Sequence, residues 1–133
     1  MIVLEGSWPL WRIEMFTAKS QIELFLREAR ELCGAGTRTL VPRGENRAGL
    51  LAIGITEVQA WEVVVRLTAN NYHKGPEADD NGSEGELWFF GASVEGTPCY
   101  LKLKIEPTAA GRLLKCLSFH PARFPLTFPL RPR

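Results

Sequence analysis

The strongest periodic signal in the chain is "SQIELFLREARELCGAG" at residues 20–36. Ile22, Phe25, Leu26, Ala29, Leu32 and Cys33 recur at three- and four-residue steps, forming the apolar stripe of an amphipathic helix. Ser20 and Glu23 have capping-box spacing, and Gly34 or Gly36 supplies a stop, so the pattern predicts a helix over 20–33. "TRTLV" is compatible with a short strand, and "PRGENRAGLLAIGI" reads as a turn and a short helix closed by Gly54. Thr56 and Gln59 repeat the capping-box spacing ahead of Ala60, Trp61, Val64 and Val65, which predicts a helix to about Arg66. Thr68 is placed to cap one further turn, and Pro76 ends any helix there.

From residue 87 the period shortens to two. "LWFFGASV", "CYLKLKIE" and "RLLKCLSFH" read as three strands, joined by "EG" at 95–96 and by "PTAAG". Before them lies the one long polar loop, "GPEADDNGSEGE" at 75–86, and after them the proline-interrupted tail "PARFPLTFPLRPR" reads as an edge strand or an extended wrap. Helices first and strands second define an α+β domain, with N-terminal helices on one face of a C-terminal antiparallel sheet. The opposite face of such a sheet is free to be polar. Leu101, Leu103 and Ile105 then point to the core, while Tyr100, Lys102 and Lys104 share the free face.

Composition narrows the class. A chain of 133 residues, 45% apolar and 23% charged, is expected to form one globular domain. It has neither the apolar run of a membrane span nor a secretory leader, so a cytoplasmic location is expected by default. Cys33, Cys99 and Cys116 are odd in number and lack CxxC spacing, which argues against a disulfide framework and a zinc site and favours buried thiols. The net charge of +1 hides a segregation: residues 75–96 hold six acids and no Lys or Arg, whereas 97–133 hold seven bases against Glu106 alone. A basic C-terminal stretch suits a phosphate-bearing partner, although many solvated surfaces look alike.

Three chemistries fail on their residues. His73 and His120 without a cysteine pair are too few for a transition metal. Ser118 and His120 share a strand face but lack a nucleophile elbow and an orienting acid. "GAGTRT" lacks the lysine and spacing of a phosphate loop. One surface remains: antiparallel pairing of 97–106 with 112–120 brings Tyr100 close to His120, with Lys102 one step along. Cleavage of RNA needs a base for the 2′-OH, an acid for the leaving 5′-oxygen and cations for the charge developing on phosphorus. Histidine can serve as acid or base, lysines can hold the phosphate, and a nearby ammonium would lower the tyrosine's pKa. No metal or other cofactor is required. The plainer alternative is a solvent-facing Tyr-x-Lys-x-Lys strand with His120 packed at a strand end.

"LTANNYHKGPEADDNGSEGELWFFGASVEGTPCYLKLKIE" together with "LKCLSFHPARFPLTFP" resembles the motility quorum-sensing regulator family of type II toxins, messenger-RNA interferases with a RelE-like α+β fold. The likeness runs over about residues 19–129 in layout and is specific mainly in "GP-x-x-D", "LWFFG", "YLKLK" and "LSFHPA". Residues 1–18 have no counterpart and are expected to be an N-terminal extension to a single toxin domain at 19–133. The resemblance implies ribosome-independent cleavage of messenger RNA and an antitoxin protein as partner. It maps a functional lysine onto Lys74 in "NYHKGP", a functional tyrosine onto Tyr100, and a neighbouring lysine onto Lys102. Where the family has a lysine after Ser-Phe this chain has His120, and where it has a glutamine after the tryptophan of the first meander strand this chain has Phe89.

The expected catalytic set is therefore Tyr100, His120, Lys74 and Lys102, with Lys104, Arg112, Lys115 and Arg123 as candidate RNA-binding residues and no metal ligands. Trp88, between Leu87 and Phe89, is read as core rather than as a base-stacking platform. The loss of the glutamine leaves open a non-catalytic RNA- or protein-binding module of the same fold. A third option is that the acidic 77–86 loop docks on a basic partner.

Overall fold

The computed structural model describes residues 9–81 and 84–132. Three helices, α1 (Leu10–Gly34), α2 (Gly44–Ile53) and α3 (Glu57–Arg66), pack against a five-stranded sheet of β1 (Arg38–Leu40), β2 (Tyr72–Glu77), β3 (Leu87–Val94), β4 (Thr97–Thr108) and β5 (Gly111–Pro121). The spatial order is β1-β5-β4-β3-β2. All pairs are antiparallel except β1, which runs parallel to β5, so the sheet is mixed rather than purely antiparallel. The α+β class with N-terminal helices on one sheet face is as expected.

Locally coded elements lie where the sequence put them. Thr56 and Gln59 form a complete capping box at α3, Thr68 caps a 3-10 turn at Ala69–Asn71, and Gly54 closes α2 in the left-handed conformation. The start of α1 is different. The helix begins at Leu10 after Pro9, so Ser20 and Glu23 lie inside it and cap nothing. Residues 10–19 contain neither glycine nor proline, and nothing in them stops a helix from propagating. Residues 10–18 thus continue the same helix, while residues 1–8 lie outside the described residues. Leu10, Trp11, Ile13 and Phe16 on this leading part are exposed. Among the described residues no single helix is long and apolar enough to cross a membrane.

Residues 75–77, expected in the polar loop, belong instead to edge strand β2, which tolerates Pro76 because an edge strand need not use every N–H. The tail forms no strand and wraps the sheet. It is tied by Ala122 N–H to the Pro98 carbonyl, by Thr127 to His73, and by Arg131 to the Asn70 carbonyl.

The core lies between the helices and the sheet. Phe25 of α1 stacks on Trp88 at 5.0 Å and on Phe90 at 6.1 Å, so Trp88 is core, as expected. Leu101, Leu103, Leu114 and Phe119 are fully buried on the same face, and all three cysteines are buried as free thiols. Burial pushes Cys99 up to about 11 and Cys116 up to about 12, which leaves both inert near neutrality.

One irregularity decides the geometry of everything on the other face. In the β4–β5 hairpin, Leu103 pairs with Cys116 but Lys102 pairs with Ser118, so Leu117 is an extra residue in a β-bulge. Beyond it Tyr100 lies opposite His120 and Leu101 opposite Phe119. Without the bulge the register would slip by one, setting Phe119 opposite Tyr100 and turning His120 to the core. The bulge is held by α2, which covers the outer edge of β5 past the end of β1. Asn46, 2% exposed, donates Nδ2 to the carbonyls of Val41 (2.9 Å) and Leu117 (3.1 Å), and its Oδ1 accepts from the Phe119 N–H at 3.0 Å. Gly49 lets the helix come this close: a Cβ there would lie 2.7 Å from His120 Cβ and 2.8 Å from the Phe119 carbonyl oxygen.

Candidate active site

Glu95 and Gly96, both at positive φ, make the tight turn that pairs Val94 with Thr97 and hence Gly91 with Tyr100 and Phe89 with Lys102. On the far side the bulge presents His120 to Tyr100. The Tyr100 and His120 rings lie 5.3 Å apart at 33°. Phe89 lies 6.1 Å from Tyr100 on one side, and Phe124 of the tail lies 6.0 Å away on another, edge-on. Lys74 Nζ sits 4.4 Å above the Phe89 ring and Lys102 Nζ 5.8 Å from it. Tyr72 donates its hydroxyl to the Gly75 carbonyl, fastening the irregular stretch of β2 that carries Lys74. The four expected catalytic residues thus surround one aromatic centre.

The ionisation of the phenol departs from expectation. Burial, reinforced by the Glu77 carboxylate, raises the Tyr100 pKa above that of an ordinary tyrosine, and the neighbouring lysines do not reverse this. Tyr100 is therefore a neutral hydroxyl, suited to donating or positioning and not to acting as a phenolate base. Lys74 is also partly engaged, with Glu77 at 3.0 Å.

His120 is 8% exposed, under the edge of α2, where a shallow cleft lined by Glu45, Gly49 and Arg123 reaches it. Its Nδ1 lies 2.9 Å from the Pro121 carbonyl oxygen. A carbonyl only accepts, so Nδ1 carries hydrogen, and in the neutral ring the lone pair sits on Nε2. That is the tautomer of a general base. The Arg123 guanidinium, 2.9 Å from Glu45, holds that carboxyl below the usual range, with a smaller pull from His120.

The expected RNA-binding residues do not gather here. Lys104 is on the same strand face but is 1% exposed, ion-paired to Asp79 at 2.6 Å and to Glu106 at 3.3 Å. The acidic loop folds back over it, with Gly85 packed on the Ile105 backbone, so Lys104 is a buried anchor and not a phosphate contact. Arg112 is at the far end of the hairpin and pairs with Glu28 of α1, toward the helical side. Lys115 pairs with Glu106 at 2.6 Å, and Arg123 is held by Glu45. Of the eight expected residues, four meet.

Sequence reasoning passed over Phe89 as a site residue, and missed Phe124 and Asn46. The alternation of Phe124, Leu126 and Phe128 was a usable signal of a segment lying along the sheet, because Leu126 and Phe128 fill the space above Gly91. Among the described residues no three His, Cys, Asp or Glu side chains converge as a metal ligand set. No protein-family model, curated protein or solved structure matches this chain.

Proposed function

We propose that this chain is a toxin-type endoribonuclease, of RelE-like kind, that cleaves messenger RNA by attack of a 2′-OH on the adjacent phosphate, with an antitoxin protein as its natural partner. The observation that carries this reading is the Tyr100–His120 pair: an Nδ1–H imidazole against a neutral phenol, with Lys102 next on the same face. His120 Nε2 takes the 2′-OH proton as the 2′-oxygen bonds to phosphorus. The 5′-oxygen leaves with a proton returned from the imidazolium or from water, giving a 2′,3′-cyclic phosphate and a 5′-OH. Tyr100 donates to a phosphoryl oxygen or orients the 2′-OH, and Lys102 and Lys74 offset the developing charge. A messenger-RNA substrate places the work in the cytoplasm.

The test is cleavage of a messenger RNA by purified protein in the presence of a chelator. Wild type is expected to cut, and His120→Ala to lose about 10²–10⁴-fold in rate, the usual worth of a general acid or base. Undiminished cutting by His120→Ala combined with Tyr100→Phe contradicts the assignment.

A second reading draws on Phe89. Both lysine ammonium groups lie by its ring, which stands where the resembling family has a polar glutamine. The face then binds RNA without cutting it, and salt-sensitive binding with no product distinguishes that case.

A further inference from the structure

The catalytic face does not end at Tyr100. Phe124, 54% exposed, forms a wall shared between Tyr100 and a cleft of about 450 Å³ running under the tail. The floor is the end of the β3–β4 hairpin at Ala92, Pro98 and Cys99, and the tail supplies Leu126 and Phe128. The three tail anchors fix this cleft in place, and its size is that of a small-molecule site. Its lining is mostly apolar, with two polar groups, Ser93 and Arg131. Arg131 stacks its guanidinium on Phe128 at 3.7 Å and spends Nε on the Asn70 carbonyl at 2.9 Å. Its terminal amino groups make no hydrogen bond among the described residues. A flat aromatic wall, an apolar floor and a fixed guanidinium fork are what an unpaired nucleobase requires: a π-face to stack on and donors for its polar edge.

We propose that this cleft receives the unpaired nucleobase adjoining the phosphate held at Tyr100 and Lys102, stacked on Phe124 and met at its polar edge by Arg131. The proposal rests on the ribonuclease reading for the neighbouring phosphate, but its own content is nucleobase binding. RNA is the occupant because Phe124, which lines the cleft, also stands edge-on to Tyr100 on the face that carries Lys102 and Lys74.

The test uses an uncleavable, fully 2′-O-methylated oligonucleotide titrated into the isotope-labelled protein, with a set of the same oligonucleotide made abasic at each position in turn. Amide signals of Ala92, Ser93 and Cys99 are expected to shift. Phe124→Leu, which keeps apolar volume but lacks a π-face, is expected to bind about 5- to 150-fold more weakly, the equivalent of one lost base stack. One abasic position is expected to weaken wild type to a similar degree and to leave Phe124→Leu unchanged. Wild-type affinity in Phe124→Leu, abasic losses equal in both proteins, or cleft signals that stay silent to RNA each overturn the proposal. Cleavage of unmodified RNA is scored separately. Its absence with cleft shifts intact sinks the ribonuclease reading alone, and normal cleavage with a silent cleft sinks this one alone.

Discussion

Replacing Asn46 by alanine tests whether a side chain on α2 holds the bulge that aims His120. The substitution removes three hydrogen bonds, to the carbonyls of Val41 and Leu117 and from the Phe119 N–H. Each neutral bond is worth about 0.5–1.5 kcal/mol net, and a buried N–H left without an acceptor costs about 1–3 kcal/mol. The two carbonyls retain other lone pairs, so the stranded Phe119 N–H carries most of the penalty, and a total loss of about 3–4 kcal/mol is expected. Asn46→Asp keeps an acceptor for Phe119 but sets a carboxylate against two carbonyl oxygens, and is expected to do no better. Urea unfolding followed by tryptophan fluorescence reads the loss, with Trp61 and Trp88 buried in the core as reporters. A loss below about 1 kcal/mol for Asn46→Ala, well under one buried unpaired N–H, would show that the β5 edge finds other partners and that the bulge does not need α2. Cleavage by the surviving folded fraction is expected to fall with it, because a one-residue slip at Leu117 turns His120 away from Tyr100.

Three further outcomes follow from the same geometry. Gly49→Ala drives a methyl into His120 Cβ and the Phe119 carbonyl and is expected to destabilise by about 1–3 kcal/mol, read by thermal unfolding, with cleavage reduced more than folding. Lys104→Met breaks the buried pairing with Asp79 and Glu106 and is expected to cost about 3 kcal/mol, the low end for a buried pair because Glu106 keeps Lys115 as a partner. Hydrogen exchange in residues 78–81 checks whether the acidic loop is released in that variant. Asp79 is held below the usual carboxylate range chiefly by its hydrogen bond from Lys104, and Glu106 chiefly by that from Lys115. Depressed folded-state values stabilise the fold above the unfolded values of 3.8 and 4.5, and that contribution is lost as pH falls through the folded ones. Stability is therefore expected to decline below about pH 4.5, and Lys104→Met to flatten the decline; a pH-independent difference between the two proteins contradicts it.

How far the sequence spoke depended on whether the deciding contact was local. Thr56 with Gln59, and Glu95 with Gly96, act within four residues, so α3 and the β3–β4 register were legible. The Ser20–Glu23 spacing is the same at a helix start and inside a helix, and what precedes it decides. β1 is three residues long and earns its place only by pairing with β5. The bulge left a trace: core positions Leu114 and Cys116 are two apart, but the next, Phe119, is three further on, a break in alternation that marks one extra residue. Lys104 was misplaced for a physical reason. Alternation put it on the correct face, but which part of a face a distant loop covers is not written in the strand. Likewise, nearby ammonium groups suggested a lowered Tyr100 pKa, and burial outweighs them.

If His120 and Tyr100 act together on a 2′-OH, as proposed, the two ends of a cut RNA carry the signature of that chemistry. Purified protein is incubated, in chelator, with an RNA and with the same RNA carrying one 2′-deoxy sugar at the cut position. Attack by the 2′-OH requires a 2′,3′-cyclic phosphate on the upstream fragment, a 5′-OH on the downstream one, and no cut at the deoxy position. A 3′-OH end, continued cutting at the deoxy sugar, or an intact RNA contradicts it.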